Sequence, residues 1–177
     1  MTTEKPKKEN YIPLENPETL ETRDSHTHLV ETKFDDPEIL ELVQKNMVAI
    51  QEGSINVNDI SQLSARKEGL AYKILHDDEE GGKVAGAVYA VRKGMDTGSI
   101  QIAYFIDSQF EGRGIMGAAV ASVTERLQAN YDVMAEVDYS NERSKKLLRG
   151  LGTYAYFGSD ERNPRKEQFF ASRRRSK

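Results

Sequence analysis

Apolar positions recur along this chain with two different periods, one suited to strands and one to helices. In Tyr131 to Asp138, strict alternation puts Asp132, Met134, Glu136 and Asp138 on one side and Val133, Ala135 and Val137 on the other, as a strand requires. Ser99 to Ile106 is a further strand. Ala71 to Leu75 and Lys83 to Arg92 form an antiparallel pair around the polar loop His76 to Gly82. Within that pair, Val84 to Val91 is apolar at nearly every position, which predicts a central strand covered on both faces. His28 to Thr32 is expected as the first strand. Tyr154 to Phe157 and Glu167 to Ala171 are expected as a closing hairpin across the turn-like Gly158 to Arg165.

Helical spacing appears in four places. Asp36-Pro37 supplies an N-cap and a proline at the first helical position, opening a helix to about Gln51 with Ile39, Val43, Met47 and Ile50 on one stripe. Asn58 to Glu68 fits a second helix, with Ile60 and Leu63 inward and Gly69 closing it. Ile115 to about Asn130 buries Val120, Val123 and Leu127, and Ala118 and Ala119 are small enough for close approach to a sheet. Ser140 or Asn141 caps the last helix, which runs through Leu151 to a stop at Gly152. The pattern predicts one mixed α/β (α+β) domain, with a mostly antiparallel sheet and about four helices.

The sequence of 177 residues is of single-domain length, and its net charge of -4 gives no reason to expect DNA or a membrane surface as a partner. It has no cysteine, which removes disulfides, thiol nucleophiles and thiolate-bound zinc. No apolar run approaches the roughly 20 residues of a membrane span, and the expectation is a cytoplasmic protein, monomeric or homodimeric. Residues 1–27 mix Lys, Glu and three prolines without a period and read as a mobile charged leader. Residues 28–171 form the domain, and 172–177 a short basic tail read as solvated. His26 and His28 would share a strand face, yet with no third ligand nearby they read as a solvated strand start, and no metal is expected. His76 reads as a surface histidine at a loop edge.

One stretch carries chemistry. Gly112-Arg113-Gly114-Ile115-Met116-Gly117 is a glycine-rich turn leading straight into a helix whose first amides lack intrahelical partners, so its N–H groups and dipole favour an anion such as a pyrophosphate, with Arg113 alongside. Three readings compete. The spacing of Gly112, Gly114 and Gly117 spells a dinucleotide fingerprint, but Asp107 to Glu111 separates the turn from the strand it should leave directly, and too little chain follows for a doubly wound domain. A Walker loop is excluded because no Lys-Ser or Lys-Thr follows. The third reading is an ordinary strand-to-helix turn.

The neighbouring motifs decide among them. An alternating strand Ile102-Ala103-Tyr104-Phe105-Ile106, then Gly112-Arg113-Gly114-Ile115-Met116, then Ala135-Glu136-Val137-Asp138-Tyr139-Ser140-Asn141-Glu142-Arg143-Ser144, then Leu147-Leu148-Arg149-Gly150-Leu151-Gly152 resembles the coenzyme A-binding half of the GNAT N-acetyltransferases. The RimJ/RimL-like branch of N-terminal protein acetyltransferases is the most similar, and the resemblance is clear from about Val84 to Phe157.

It implies a V-shaped GNAT-like sheet and acetyl-CoA as cosubstrate. The backbone of Tyr104, Phe105 and Ile106 would pair with the pantetheine arm, Gly112, Arg113, Gly114, Ile115, Met116 and Gly117 would hold the pyrophosphate, and Asn141 would contact the arm. It further implies Glu136 as the base that deprotonates the incoming ammonium, where a strand-end carboxylate paired with Lys or Arg is the alternative. Ser144 would sit near the departing sulfur, with Tyr139 as a second hydroxyl. The helical pair after the first strand would choose the acceptor.

Two departures from the family pattern stand out. Glu111 occupies a position usually held by Gln or Arg, and its carboxylate would repel phosphates unless it points away. Leu148 replaces the usual tyrosine acid. The expected reaction is acetyl transfer from acetyl-CoA to a primary amine, either a protein N-terminus or a small molecule. A non-catalytic acyl-CoA-binding or partner-binding module on the same fold is the alternative.

Overall fold

The computed structural model describes residues 18–46, 69–78, 81–92 and 98–174. Its framework is one sheet of β1 (Thr19–Glu21), β2 (Thr27–Thr32), β3 (Gly69–Asp78), β4 (Gly81–Arg92), β5 (Ser99–Ile106), β6 (Asp132–Asp138), β7 (Ala155–Asp160) and β8 (Asn163–Ala171). The spatial order is β1-β2-β3-β4-β5-β6-β8-β7. Every neighbouring pair is antiparallel except β5 with β6. Among the described residues there are three helices, α1 (Pro37–Lys45), α2 (Ile115–Leu127) and α3 (Glu142–Gly150), and a 3-10 turn at Ser108–Phe110.

The apolar run in β4 follows from its place in the middle of this sheet, where both faces are covered. Ala85, Val88 and Ala90 join α2 residues Ala119, Val120 and Val123 in the larger core, with Phe169 and Leu148. Ala87 and Tyr89 face the other way, against Phe34 and α1 residues Ile39, Leu42 and Val43. There Phe34 stacks on Tyr89 at 5.5 Å between ring centroids, and Tyr89 on Phe105 at 6.4 Å. The sheet therefore has an α2/α3 face and an α1 face, and alternation along each strand decides which face a side chain joins.

Several boundaries move. The stretch assigned to a leader through Thr27 contains β1, which pairs with β2 from Thr19 opposite Val30 to Glu21 opposite His28. Nothing local marks it. It is held from a distance, by Arg126 of α2 donating to Glu18 at 2.8 Å and by the Ser122 hydroxyl donating to the Glu21 carbonyl. Gly69 begins β3, and the expected helix Asn58 to Glu68, with Met47 to Gln51 of the first helix, lies outside the described residues. The hairpins are tighter than expected, with β3 reaching Asp78 and β8 beginning at Asn163, because backbone pairing continues through polar residues that carry no hydrophobic signal.

His76 is corrected most. It lies in β3 with its side chain only 13% exposed, where its ring meets Phe110 edge-on at 5.9 Å and its Nδ1 is 3.1 Å from the Thr27 hydroxyl. At the other end, Ser172 to Arg174 of the tail is tied down. The Arg173 amide donates to Asp132, the Arg174 amide to the Gln128 carbonyl, and the Arg174 guanidinium pairs with Glu125.

Gly86 marks a close approach of β4 to β5, since a Cβ there would lie 2.2 Å from the Phe105 carbonyl oxygen and 2.9 Å from Ile106 Cα. Gly86→Ala must push β4 from β5, and the expected loss is about 1–3 kcal/mol in denaturant unfolding. His28 ties the sheet edge together by reaching Asp77 at 3.0 Å and Glu21 at 3.2 Å, and the Asp77 carboxylate above all holds its pKa above the usual histidine range. A histidine raised in this way contributes stability that is complete below its unfolded pKa of about 6.5 and is lost as pH rises through the folded value. The unfolding midpoint should therefore fall on going from pH 6 to pH 9, and His28→Gln should flatten that slope.

Candidate active site

The site begins where β5 leaves β6. The two strands pair in parallel from Ser99 opposite Asp132 to Ile102 opposite Ala135, and their register ends there. Beyond it, β5 stays with β4 as far as Ile106 opposite Gly86, while β6 stays with β8 as far as Asp138 opposite Lys166. The backbone edges of residues 103–106 and 136–138 diverge and open a cleft of about 820 Å³.

A buried carboxylate fixes the end of β5. The Asp107 amide donates to the Ala85 carbonyl at 2.8 Å, extending the β4–β5 contact by one residue. Its carboxylate accepts from Lys45 Nζ at 2.8 Å, from the Gln109 amide at 3.2 Å and from Gln109 Nε2 at 2.9 Å. Burial alone would push this carboxyl up, but Lys45 and the two Gln109 donors outweigh it and hold it below the usual carboxylate range. The 3-10 turn that follows buries Phe110 and hands the chain to the glycine turn.

Gly112 and Gly114 have φ of 76° and 79°, a left-handed conformation that L side chains adopt at a penalty. Gly114 is the N-cap of α2 and provides no side-chain cap. The Ala118 amide donates to the Gly114 carbonyl at 3.1 Å as the helix opens, so the amides of Ile115, Met116 and Gly117 precede that bond. Gly117 is helical, and a Cβ added there would meet no atom within 4 Å. A helical glycine costs about 1 kcal/mol relative to alanine, and no protein neighbour asks for it here. It leaves open room directly over amides pointing to one place, which suits a pyrophosphate. Ile115 and Met116 face inward into the core as well as lining the cleft.

The two walls carry different chemistry on the two sheet faces. On the α2/α3 face, the Tyr104 hydroxyl lies 2.6 Å from Ser144 Oγ. Burial raises the Tyr104 phenol to about 12, only partly offset by the Ser144 hydrogen bond, so it stays protonated at neutral pH. Ser144 is placed by the Asn141 cap, whose side chain accepts from the Ser144 amide at 3.0 Å. Leu148 is fully buried in the core. On the α1 face, Glu136 accepts from Gln101 Nε2 at 3.2 Å and from Gln168 Nε2 at 3.4 Å. Phe105 and Ala103 lie on that same face, in the α1 cluster.

The cleft thus brings together Tyr104, Phe105, Ile106, Gly112, Gly114, Ile115, Met116, Gly117, Glu136, Asn141 and Ser144 of the residues expected from sequence. It does not bring in Arg113, whose guanidinium sits 5.4 Å over the Phe110 ring. Nor does it bring in Tyr139, which is 54% exposed, lies under Arg165 and has its carbonyl bonded to Lys145 Nζ at 2.6 Å. Gln101, Gln168, Arg143 and Asn46 were missed. Gln101 had a signal, being the polar residue inside apolar β5; the others are recognisable only through partners far away in sequence. Among the described residues no group of three or more His, Cys, Asp and Glu side chains could hold a metal, and no helix is long and apolar enough to cross a membrane.

Comparison with known proteins agrees with this fold. The fold matches the ribosomal L7/L12 alpha-N-protein acetyltransferase RimL in complex with coenzyme A, with a TM-score of 0.68 at 15% identity, covering 87% of this chain and 97% of that one. It also matches RimJ from Mycobacterium smegmatis with bound CoA-disulfide, with a TM-score of 0.67 at 16% identity and 88% of each chain covered. The ribosomal-protein-S5-alanine acetyltransferase from Vibrio fischeri aligns with a TM-score of 0.65 at 18% identity, over 86% of this chain and 94% of that one. A sequence comparison with curated proteins gives no match. The family described as the acetyltransferase (GNAT) domain matches residues 20–153, most of the chain, and the protein belongs to it as an acetyl-CoA-dependent N-acetyltransferase.

Proposed function

We propose that this cleft transfers acetyl to the N-terminal amine of a protein or peptide, with Glu136 as base and the Tyr104–Ser144 hydroxyl pair beside the leaving group. The carrying observation is that these groups stand on opposite faces of one gap between strands, with the glycine turn at its end. When bound, acetyl-coenzyme A supplies a thioester that a neutral amine can attack. An ammonium has no lone pair, so a base must first take its proton, and the Glu136 carboxylate, steadied by Gln101 and Gln168, does so directly or through one water.

The amides of Ile115 to Gly117 hold the pyrophosphate, and the open edge of residues 103–106 satisfies the amides of the pantetheine arm. An amide of that edge donates to the carbonyl oxygen as negative charge develops on it. Tyr104, kept neutral by burial, donates through Ser144 toward the sulfur. Tyr104 thereby takes the place of the hydroxyl that Leu148 cannot provide. The acceptor class draws support from two structural neighbours, the ribosomal L7/L12 alpha-N-protein acetyltransferase RimL and a Salmonella typhimurium acetyltransferase that modifies the N-terminal serine of L7/L12; the microcin immunity acetyltransferase MccE, solved with acetyl-CoA and AMP, has the same fold at 16% identity.

Incubating the protein with acetyl-CoA and peptides bearing a free N-terminal serine or alanine should release thiol in step with peptide acetylation, and Nα-blocked peptides should be inert. Turnover of small amines but not of peptides would reassign the acceptor. Coenzyme binding without any turnover would leave the non-catalytic module as the function.

Glu136→Gln should lower kcat by about 100-fold, the usual scale for losing a general base. The loss should shrink above pH 8, as an N-terminal amine of pKa about 7.7–8.0 deprotonates unaided. Tyr104→Phe should lower kcat by about 10-fold with KM for acetyl-CoA little changed. An equal fall in binding would mean that the hydroxyl only shapes the cleft.

A further inference from the structure

Glu111 stands where a carboxylate should oppose phosphate binding, immediately before Gly112. It does not point away from the cleft. Glu111 and Arg143 both line it, and Glu111 Oε2 lies 2.6 Å from Arg143 Nη1. The contact spans the cleft, because Glu111 belongs to the glycine-turn wall and Arg143 to the first turn of α3. A cation in the first turn of a helix faces the positive end of the helix dipole, so it is poorly placed unless an anion sits with it.

Among the described residues lining the cleft the other cation is Lys166, which stands in register opposite Asp138 at the β6–β8 end. Arg143 is the one beside the glycine turn. Its side chain is 67% exposed against 32% for Glu111, so the ion pair is screened by solvent and weak enough for a more highly charged anion to break. A guanidinium also binds phosphate bidentately through charge-assisted bonds stronger than a single contact to a carboxylate.

We propose that Arg143 is a phosphate ligand of the coenzyme and that Glu111 is a built-in competitor for it. Coenzyme phosphates take the guanidinium over from Glu111, and the displaced carboxylate turns to solvent. Glu111 thus holds Arg143 at the turn, at the expense of coenzyme affinity, which favours release of the spent coenzyme. This rests on the coenzyme reading of the cleft, and the two fail differently.

The test is calorimetric titration of wild type, Glu111→Gln and Arg143→Gln with acetyl-CoA at low and high salt, with thermal unfolding to show each variant folded. The proposal predicts shifts of opposite sign. Glu111→Gln lowers the dissociation constant by about 2- to 10-fold, and Arg143→Gln raises it by about 5- to 20-fold and flattens its dependence on salt. A clasp with a merely structural role would weaken binding when broken from either side. Shifts in the same direction, or either variant within twofold of wild type, would overturn the proposal while leaving the coenzyme reading intact. If folded wild type binds no acetyl-CoA, the coenzyme reading fails and takes this proposal with it.

Discussion

The site depends on the ending of one ladder. β5 and β6 share only four register pairs, after which each strand follows a different antiparallel partner. Antiparallel pairing to β4 and β8 satisfies one edge of each strand; along the diverging segments the other edge faces the cleft. Backbone groups left along a gap need hydrogen-bond partners. An extended ligand rich in amides suits such a gap, and the proposed binding by strand addition rests on this topology rather than on any side chain. Gly86 and Asp107 keep the geometry in place. Gly86 lets β4 and β5 approach closely at the parting, and Asp107 locks the end of β5 to α1 through Lys45.

A gap through a sheet also separates two chemistries that must not mix. Alternation sends Tyr104 to the α2/α3 face, where Ser144 meets it, and sends Phe105 and Gln101 to the α1 face, where Glu136 lies. Glu136 and the Tyr104–Ser144 pair do not bond to each other across the backbone, and the proposed roles of base and proton donor rely on that separation. A single-residue slip of β5 would exchange the faces and destroy both sites together. The short parallel ladder at Ser99 to Ile102 therefore sets which side chains face which side of the cleft as well as its shape.

Legibility in the sequence followed locality. The cap at Asp36, the strand Ser99–Ile106, the glycine turn and the Asn141 cap each depend on residues within a few positions of one another, and each stands where the pattern put it. What could not be read was made by distant partners. β1 is three residues in a charged stretch and exists because Arg126 and Ser122 of α2 hold it. His76 reads as polar loop, yet Phe110, far along the chain, covers it. Tyr139 offers a hydroxyl beside a motif, yet the turn that carries it faces outward, with its carbonyl held by Lys145.

Glu111 shows the same limit in a sharper form. Read along the chain, it is a negative charge placed against a phosphate site, and its repulsion at 4 Å would be of order 4 kcal/mol at an effective dielectric near 20. Read in space, it has a counter-charge in Arg143, and neutralisation removes most of that penalty. The pair is then close to electrically silent until one member is offered a better partner. Gln or Arg at that position would only attract or tolerate phosphate, whereas a Glu–Arg pair couples holding the cation to surrendering it. Departure from a family pattern at one residue is thus not by itself evidence of a lost site. Its meaning lies in the partner it acquires, here a residue of α3 that no spacing rule connects to the glycine turn.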